Sequence, residues 1–431
     1  MPDSSSDPFA ALRLPYVAPF AAGRALAAVA MQVVTVAVGW DLYERTGDAF
    51  ALGLVGLAQV IPGIALMIPA GSVADMFPRR HVAMAAHTLL ALAALGLALV
   101  ASARAPVALV YALIVLTGVG RAFAQPSTTT LLAQLLKPVE YQAAYAWLVS
   151  TQKIAQTVGP ALGGLLIAWR GEAASSYVVA ALGYLGFGLL LLTMPAVPPA
   201  PGGRRPNVGD VFEGIAFIRR TPVFFGAITL DLFGVMLGGA VALLPVYAKD
   251  ILEIGPTGLG LLRAAPSAGA VAMALLATRL PPFRRPGRTM LLAFAGFGLA
   301  TIGFGLSRNV AFSLLCLALT GAFDAIGVMV RGTLEQALTP DRLRGRVSAV
   351  NFLFIGLSNE FGGFESGATA ELFGTVPSVV GGGIGTLVVV LLVPFFFPAL
   401  LKVGPVATLR PAESEAKAPE PPPRRPEAVR A

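Results

Sequence analysis

The chain has 431 residues, of which 56% are hydrophobic and 13% are charged, and its mean hydropathy is +0.76. This composition excludes an ordinary soluble domain, because such domains are about 45–50% apolar and about 25% charged. The formal net charge is +8, but the basic residues lie in short connectors and form no basic face with interleaved aromatic residues, which argues against nucleic-acid binding. We therefore predict an integral membrane protein.

Twelve apolar stretches of roughly 20 residues follow one another along the chain, and this is the length of helix that crosses a hydrocarbon layer about 30 Å thick. Residues 1–9 lack the basic and apolar regions of a signal peptide, so the first stretch is expected to be a retained helix. The predicted fold is an all-α integral membrane protein with twelve transmembrane helices. The predicted spans are 16–41, 50–74, 81–102, 106–130, 142–169, 174–194, 222–247, 257–279, 289–306, 309–331, 346–372 and 377–400.

Arginine and lysine are distributed unevenly between the connectors. The N-terminal segment and the connectors that follow even-numbered spans hold, or directly adjoin, Arg13, Arg79, Arg80, Lys137, Arg204, Arg205, Arg219, Arg220, Arg279, Arg284, Arg285, Arg288, Arg342, Arg344 and Arg346. The connectors that follow odd-numbered spans hold Arg45, Arg104, Arg170, Lys249 and Arg308. Because basic residues accumulate on the cytoplasmic side, this bias of about three to one predicts cytoplasmic even connectors and cytoplasmic termini, in the plasma (inner) membrane.

The longest polar stretch inside the chain, 195–221, divides it into two halves. It opens with a Pro- and Gly-rich segment that cannot be helical. It ends with an amphipathic pattern typical of a helix at the cytoplasmic interface, which suits either a plain linker helix or a regulatory element. The predicted organisation is a cytoplasmic N-terminal segment (1–15), an N-terminal bundle (16–194), the linker (195–221), a C-terminal bundle (222–401) and a disordered cytoplasmic tail (402–431) rich in Pro, Glu and Arg.

Two short sequence repeats relate the halves. Leu132, Gln134, Leu136 and Pro138 recur in the second half as Leu334, Gln336, Leu338 and Pro340. In the same order, Leu52, Gly53, Leu54 and Ala58 match Leu259, Gly260, Leu261 and Ala265. Carriers are commonly built from internal repeats that move about a central site. We therefore predict a duplicated unit, giving two pseudo-symmetric six-helix bundles.

The connector between the second and third spans carries a motif. It follows G-x-x-x-D-R-x-G-R-R at Gly71, Asp75, Arg79 and Arg80, and departs from it at Met76 and Pro78. This resembles the signature of the major facilitator superfamily. The small residue lets two helices meet closely, and the carboxylate can cap a helix N terminus and hold basic partners. The resemblance implies the major facilitator fold and a role for these four matching residues in conformational switching.

The segments 118–126, 230–247 and 345–351 resemble the branch of this superfamily that contains the enterobactin exporter, which implies export. In the fifth span, a further pattern resembles the G-P-x-x-G-G end of the proton-coupled antiporter signature, with Ala155 in place of its upstream glycine. Its members are Gly159, Pro160, Gly163 and Gly164. Helix packing explains them equally well, since proline bends a helix and glycine admits a close neighbour.

Charged side chains inside the predicted spans are costly, about 2.5–3.5 kcal/mol at the bilayer centre, and normally face a bundle interior. The candidates of this kind that we single out are Arg24, His87, Arg121, Lys153, Asp231, Arg263, Asp324, Glu360 and Glu365. Arg24 and Asp231 each lie nine residues after a proline that begins a span, which places them at equal depth. We hypothesise that they form a central titratable pair, with a static ion pair as the alternative.

The eleventh span carries Glu360 and Glu365, which lie five residues and about 140° apart on a helix and cannot both face one substrate group. A carboxyl group in low-dielectric surroundings binds its proton more tightly than in water, which suits proton coupling near neutral pH. Buried structural carboxylates are the alternative. The predicted proton-coupling residues are Asp231, Glu360, Glu365 and Arg24, and Arg121, Lys153 and Asp324 are predicted to shape the cavity.

The sequence contains no P-loop, G-x-S-x-G or H-E-x-x-H motif, and His81 and His87 are spaced too widely for a helical metal site. We therefore predict no enzymatic activity, no cofactor and no metal. The expected function is secondary active transport, namely proton-coupled export of a small amphipathic molecule, siderophore-like or drug-like, by a monomer in the lipid bilayer. Alternatives are an importer, a broad-specificity drug exporter, and a non-transporting receptor or scaffold.

Overall fold

A computed structural model describes residues 10–198, 208–279, 281, 283–405 and 409, and these residues form helices and no strands. Predictions for the Pro- and Gly-rich part of the linker, for Arg204 and Arg205, and for most of the tail lie outside the described residues. The first half contains a 3-10 helix (Ala10–Arg13), α1 (Val17–Thr46), α2 (Ala49–Met76), α3 (Arg79–Ser102), α4 (Val107–Leu135), α5 (Pro138–Arg170) and α6 (Ala174–Leu191).

The second half begins with the linker helix and ends with a short helix after the last span. Its elements are α7 (Val208–Arg220), α8 (Pro222–Gly238), α9 (Leu244–Val246), α10 (Gly255–Ala277), α11 (Pro286–Leu306), α12 (Val310–Leu338), α13 (Arg344–Phe373), α14 (Thr375–Phe396) and α15 (Pro398–Lys402). A 3-10 turn (Ala240–Leu243) joins α8 to α9, and a π-helical turn (Tyr247–Ile251) follows α9. From α8 to the π-helical turn, the chain forms one interrupted span.

The predicted twelve-helix fold is confirmed, since the described residues form twelve long helical spans in two bundles of six. Ten of these spans are apolar and long enough to cross a membrane by length and composition alone. The other two, α5 and α13, carry more polar side chains. The largest boundary difference is at α12, which runs to Leu338 because residues beyond the predicted end at 331 are buried by packing and continue the helix. Helices α1 and α4 also run past their predicted ends, to Thr46 and Leu135.

The connectors define two ends of the molecule. We call the odd face the end formed by residues 47–48, 103–106, 171–173, 252–254, 307–309 and 374, and the even face the end that holds the C termini of α2, α4, α10 and α12. At the odd face, α1 ends at Thr46 and is followed by its C-cap Gly47, whose φ of +63° lies in the left-handed region that favours glycine. The Asp48 side chain then accepts a hydrogen bond from the Phe50 amide and caps α2.

The two bundles meet closely near the odd face through paired glycines. A Cβ built on Gly53 of α2 would lie 3.1 Å from the Cα of Gly367 of α13, and one built on Gly164 of α5 would lie 3.0 Å from the Cα of Gly260 of α10. Gly53 and Gly260 are matching members of the second sequence repeat. The duplicated sequence thus supplies the same close helix contact on both sides of the interface, as small residues do in membranes.

Among the described residues, the hydrophobic core is continuous between the bundles only at the odd face. One buried cluster there joins residues of the first bundle, such as Leu42 and Leu52, to residues of the second, such as Leu243 and Leu259. Toward the even face, the buried clusters of the described residues separate by bundle, with Phe294 belonging to a cluster of the second half alone. The bundles are therefore packed together at one end and apart at the other.

The helices that touch near the odd face diverge toward the even face. Lys153 lies two turns before Pro160 on α5, and Gly356 lies two turns before Gly363 on α13, so each pair shares a helix face. Pro160 and Gly363 belong to the packed interface, whereas Lys153 and Gly356 are exposed. A gap thus opens between the bundles toward the even face.

The linker helix α7 is attached to the even end of α13. The Arg346 guanidinium lies 2.9 Å from a carboxylate oxygen of Asp210 and also donates to Glu213. A Cβ on Gly214 would lie 2.9 Å from the Arg346 carbonyl oxygen, so the two helices are in close contact. Helicity over Val208–Arg220 agrees with the predicted amphipathic pattern, and its place at a membrane interface stays a prediction.

We expect Gly164→Val to prevent close packing at the odd face. The new Cβ would lie 2.3 Å from the Pro256 carbonyl oxygen, and backbone atoms cannot yield as a flexible side chain can. Overpacking of this kind costs about 1–3 kcal/mol, enough to shift a conformational equilibrium roughly 5- to 150-fold. The measurement is the reactivity toward a thiol reagent of a cysteine at Ala161, which should rise.

The matched control is Gly188→Val on α6, where nothing lies within 4 Å of the new Cβ. This variant should leave the reactivity at position 161 unchanged. Equal reactivity in the parent and in Gly164→Val would show that the glycine contact does not limit closure.

Candidate functional site

A central cavity of about 310 Å³ lies between the two bundles. The N-terminal bundle lines it from α1, α2 and α4, and the C-terminal bundle from the interrupted span, α10 and α13. Its polar lining consists of Gln32, Thr35, Gln59, Arg121, Arg263, Asn359 and Glu360. The volume lies at the small end of the range of ligand pockets, about 300–1,000 Å³. The cavity is thus a candidate substrate site formed jointly by both halves.

The charges in the central cavity come from both bundles. Glu360 interacts electrostatically with Arg121 of α4 and Arg263 of α10, and Arg121 donates a hydrogen bond to the Gln59 side-chain oxygen. A Cβ on Gly56 of α2 would lie 2.6 Å from the Glu360 carbonyl oxygen, so glycine admits α13 at this point. Two guanidinium groups facing one carboxylate leave an excess positive charge, which suits an anionic ligand group.

A second cavity of about 220 Å³, which we call the side chamber, lies within the C-terminal bundle. Its walls include Phe297, Thr301, Phe304, Leu317, Thr320 and Ser358, and its charged residues are Asp231, Asp324 and Arg331. It shares Val235, Gly239, Val241 and Asn359 with the lining of the central cavity. The interrupted span therefore separates two adjoining cavities at Gly239, where the backbone leaves the helical conformation with ψ of 71°.

The predicted pair of Arg24 with Asp231 is wrong. Asp231 forms an ion pair with Arg331 of α12, and both side chains are buried, with 5% and 3% of their surface exposed. Arg24 instead interacts with Tyr141 and Tyr145 of α5. Equal depth on equivalent helices does not fix the direction of a side chain, which turns by about 100° per residue. Asp231 points into its own bundle and finds its partner there.

The remaining predicted residues are divided between the cavities and their surroundings. Asp324 lines the side chamber and interacts electrostatically with Lys153 of the other bundle. The Lys153 ammonium group lies 3.2 Å from the Gln156 side-chain oxygen. Among the described residues, Glu365 lines neither cavity and is only partly buried. The structure thus brings Asp231 and Asp324 into one chamber and places Glu360 in the other.

The predicted switch motif lies at the even face. Arg79 and Asp75 form an ion pair of 2.7 Å that spans the connector between α2 and α3. Arg80 donates to the Met194 carbonyl oxygen, which ties this connector to the end of α6. The carboxylate therefore holds a basic partner, as the pattern suggested. It does not cap α3, whose N-cap is Pro78 without a side-chain hydrogen bond.

The G-P-x-x-G-G pattern of α5 contacts two helices. A Cβ built on Gly159 would lie 2.6 Å from the Cβ of Gln32, and one built on Gly163 would lie 3.2 Å from the Cα of Val33. Gln32 and Val33 both belong to α1. Gly164 faces α10 across the bundle interface. These contacts favour the packing interpretation, while a role in antiport stays a prediction.

A cross-bundle contact at the odd face was not anticipated. The Tyr43 hydroxyl of α1 donates a hydrogen bond to Asp250, and the Lys249 ammonium group lies 5.6 Å from the centre of the Tyr43 ring. Arg331 was also missed: it stands at the last position of a predicted span and was counted neither among the connector residues nor among the charged residues inside the spans. Its signal was the spacing of seven residues from Asp324, which places both on one face of α12.

Residues 20–362 match the family described as Major Facilitator Superfamily. The chain is similar to the protein named Enterobactin exporter EntS from Shigella boydii serotype 4 (strain Sb227), with 29% identity over 373 residues that cover 85% of this chain and 88% of that protein. The protein of the same name from Escherichia coli O81 (strain ED1a) is 29% identical over 371 residues, with the same coverage.

Two solved structures have a similar fold. A bacterial homolog to the human lysosomal transporter Spinster, in an inward-facing and unoccupied conformation, gives a TM-score of 0.67 at 15% identity and covers 90% of this chain and 97% of its own. The nucleoside transporter NupG gives a TM-score of 0.68 at 16% identity, covering 90% of this chain and 100% of its own. At these identities, the likeness concerns the fold alone.

Proposed function

Because the chain belongs to the major facilitator superfamily and is a multi-pass membrane transporter, not an enzyme, we propose that it exports a small, amphipathic, anionic molecule of the siderophore type. Export proceeds by alternating access and is driven by protons that enter in exchange. Relatives named Enterobactin exporter, matched over most of both chains, support this substrate class.

The observation that carries the proposal is the charge of the central cavity. Arg121 and Arg263 come from different bundles and face one carboxylate, Glu360. An anionic group that binds between the two arginines would contact both halves of the protein at once. Binding at an interface between repeats that move against each other is how a carrier couples occupancy to a change of access.

The closed odd face and the open even face support a direction. If the basic even face is cytoplasmic, the structure is open to the cytoplasm and ready to load the exported molecule. Both termini then lie in the cytoplasm, and the protein is a component of the plasma (inner) membrane. We propose that it acts as a monomer, because the cavity is complete within one chain.

Labelling of cysteines at the two faces tests the orientation. In a Cys316→Ser background, cysteines at Glu172 and Arg308 of the odd face should react with an impermeant thiol reagent added to intact cells. Cysteines at Phe77 and Lys137 of the even face should react only after the cells are opened. All four positions carry exposed side chains, and the native Cys316 is 4% exposed. The reverse pattern would overturn the orientation and, with it, the direction of loading.

We expect Asp75→Asn to slow transport while leaving substrate affinity close to that of the parent. Asp75 lies in the last turn of α2 and lines neither cavity, so its ion pair with Arg79 can bias only the equilibrium between conformations. The measurement is the initial rate of export beside equilibrium binding to the purified protein. A large loss of affinity with normal turnover would place Asp75 in the binding site.

The function itself is tested by efflux from bacterial cells that lack their own exporters. Cells with and without the protein are loaded with enterobactin, or with ethidium as an amphipathic cation, in the presence and absence of a protonophore. We expect faster loss of enterobactin only in cells that contain the protein, and we expect the protonophore to abolish it. Net accumulation would indicate an importer, efflux of ethidium alone a drug exporter, and no difference for either compound a receptor or scaffold.

A further inference from the structure

We propose that the side chamber is the ion-coupling site of this transporter and that the coupled ion is a proton carried by Asp324, with Arg331 as the positioning residue that serves both Asp324 and Asp231. The inference rests on the proposed export function and adds to it the location of the proton. It also replaces the pair of Arg24 with Asp231 that the sequence suggested.

The formal charges of the chamber do not balance. Two carboxylates, Asp231 and Asp324, and one guanidinium, Arg331, line the same cavity. Phe297, Phe304 and Leu317 supply apolar walls around them. A net negative charge in such surroundings is unfavourable, because the wall hydroxyls of Thr301, Thr320 and Ser358 already donate to carbonyl oxygens of their own helices and do not replace the water that would solvate it. One added proton brings the chamber to formal neutrality.

An unpartnered oxygen gives a second observation that points to a ligand. One carboxylate oxygen of Asp231 is held by Arg331, while the other, Oδ1, is buried and has no hydrogen-bond partner within the described part of the chain. Buried polar atoms of native proteins nearly always find a partner. The chamber therefore has room and need for a hydrogen-bond donor, which a protonated Asp324 or a water bound to it would supply.

The geometry of α12 allows Arg331 to serve both carboxylates. Arg331 lies seven residues, or two turns, after Asp324 on the same face of the helix. Side chains on a helix tilt toward its N terminus, so Arg331 leans in the direction of Asp324. Asp324 itself forms no hydrogen bond or ion pair among the described residues and interacts with Arg331 electrostatically. Of the two acids, it is the one free to gain and lose a proton.

The groups around Asp324 connect its charge to the rest of the site. Asp231 faces it from α8, Arg331 from its own helix and Lys153 from α5 of the other bundle. Glu360 and Arg263 line the central cavity next door, which shares Asn359 with the chamber. A change of charge on Asp324 therefore acts across the bundle interface and beside the bound substrate.

The proposed step is a simple proton transfer. A proton from the water at one face forms an O–H bond with the Asp324 carboxylate, and Arg331 then pairs with Asp231 alone. When the bundles rock and the chamber communicates with the other face, the O–H bond breaks and the proton passes to water there. Arg331 is then shared by two carboxylates, and the neighbouring Lys153 offsets the remaining negative charge.

Asp324→Asn tests the proposal, with Glu335→Gln as the matched control. Glu335 is a buried carboxylate one turn beyond Arg331 on α12, held by Ser348 and, at 2.6 Å, by Asn351. In proteoliposomes, Asp324→Asn should reduce enterobactin accumulation driven by a pH gradient to the level of protein-free vesicles, while exchange of enterobactin down its own gradient continues. Glu335→Gln should retain both. Unchanged gradient-driven accumulation in Asp324→Asn, or accumulation driven by sodium and indifferent to pH, would overturn the proposal.

A readout that needs no transport separates this proposal from the proposed function. Infrared difference spectra of the purified full-length protein, recorded on a change of pH, should contain a carboxylic acid C=O band that is lost in Asp324→Asn and kept in Glu335→Gln. The band should persist in Asp231→Asn/Arg331→Gln, where Asp324 is the remaining acid of the chamber. If the parent transports none of the compounds tested, the proposed export fails, but the infrared band still shows whether Asp324 of the side chamber binds a proton. A band that survives in Asp324→Asn, or that is absent from the double variant, contradicts the assignment.

Discussion

Arg331→Gln will destabilise the protein by about 3–5 kcal/mol, the usual cost of leaving one member of a buried ion pair without its partner. Both side chains are buried, and one Asp231 oxygen already lacks a hydrogen bond among the described residues. Removal of the guanidinium leaves that carboxylate with no cation in contact. The measurement is the midpoint of thermal unfolding of the purified protein in detergent.

The double variant Arg331→Gln/Asp231→Asn should recover most of this loss, because it removes both charges together. The control is Arg344→Gln, which breaks an exposed ion pair with Asp341 and should have little effect, as surface pairs generally do. The single variant Asp231→Asn is measured as well. If the loss of stability in the double variant equals the sum of the losses in the two single variants, Arg331 and Asp231 do not interact and the chamber is misassigned.

The second large effect is expected on substrate binding. Arg121→Ala should weaken binding of an anionic substrate by about 1.5–3 kcal/mol, the contribution of a hydrogen bond to a charged group, or roughly 10- to 150-fold in Kd. The same loss is expected for Arg263→Ala, since the two arginines line one cavity from opposite bundles. Tryptophan fluorescence or calorimetry with enterobactin measures it, and Arg121→Lys should restore part of the affinity by keeping the charge.

Arg170→Ala is the matched control for this series. Arg170 is exposed at the odd face, where it stacks on Trp169 at 4.7 Å from the ring centre, and it lies outside both cavities. Its removal should leave binding unchanged. Equal affinity in Arg121→Ala, Arg263→Ala and the parent would place the substrate site away from the central cavity.

The fold was predictable because a membrane imposes a length on every span and a polar connector between spans. Repeated residues identified the duplication, and in the structure two of them, Gly53 and Gly260, form the equivalent contacts between bundles. The linker helix was also predictable from the sequence, since its apolar residues recur with helical spacing. These features depend on local sequence alone.

The arrangement of the intramembrane charges was not predictable in the same way. Depth along a helix follows from residue number, but the direction of a side chain depends on the rotation of that helix against its neighbours. Asp231 therefore meets Arg331 and not Arg24. The break of the interrupted span after Gly238, which separates the two cavities, likewise depends on how α13 and α14 pack against it. Such features come from tertiary contacts.

The most direct test of alternating access is a pair of distance measurements by electron paramagnetic resonance on the reconstituted protein. Spin labels at Glu172 and Arg308 report the separation of the bundles at the odd face, and labels at Phe77 and Arg284 report it at the even face. Under turnover with enterobactin and a pH gradient, the odd-face distance should lengthen while the even-face distance shortens. Distances that stay fixed, or that lengthen together at both faces, would contradict alternating access through the central cavity.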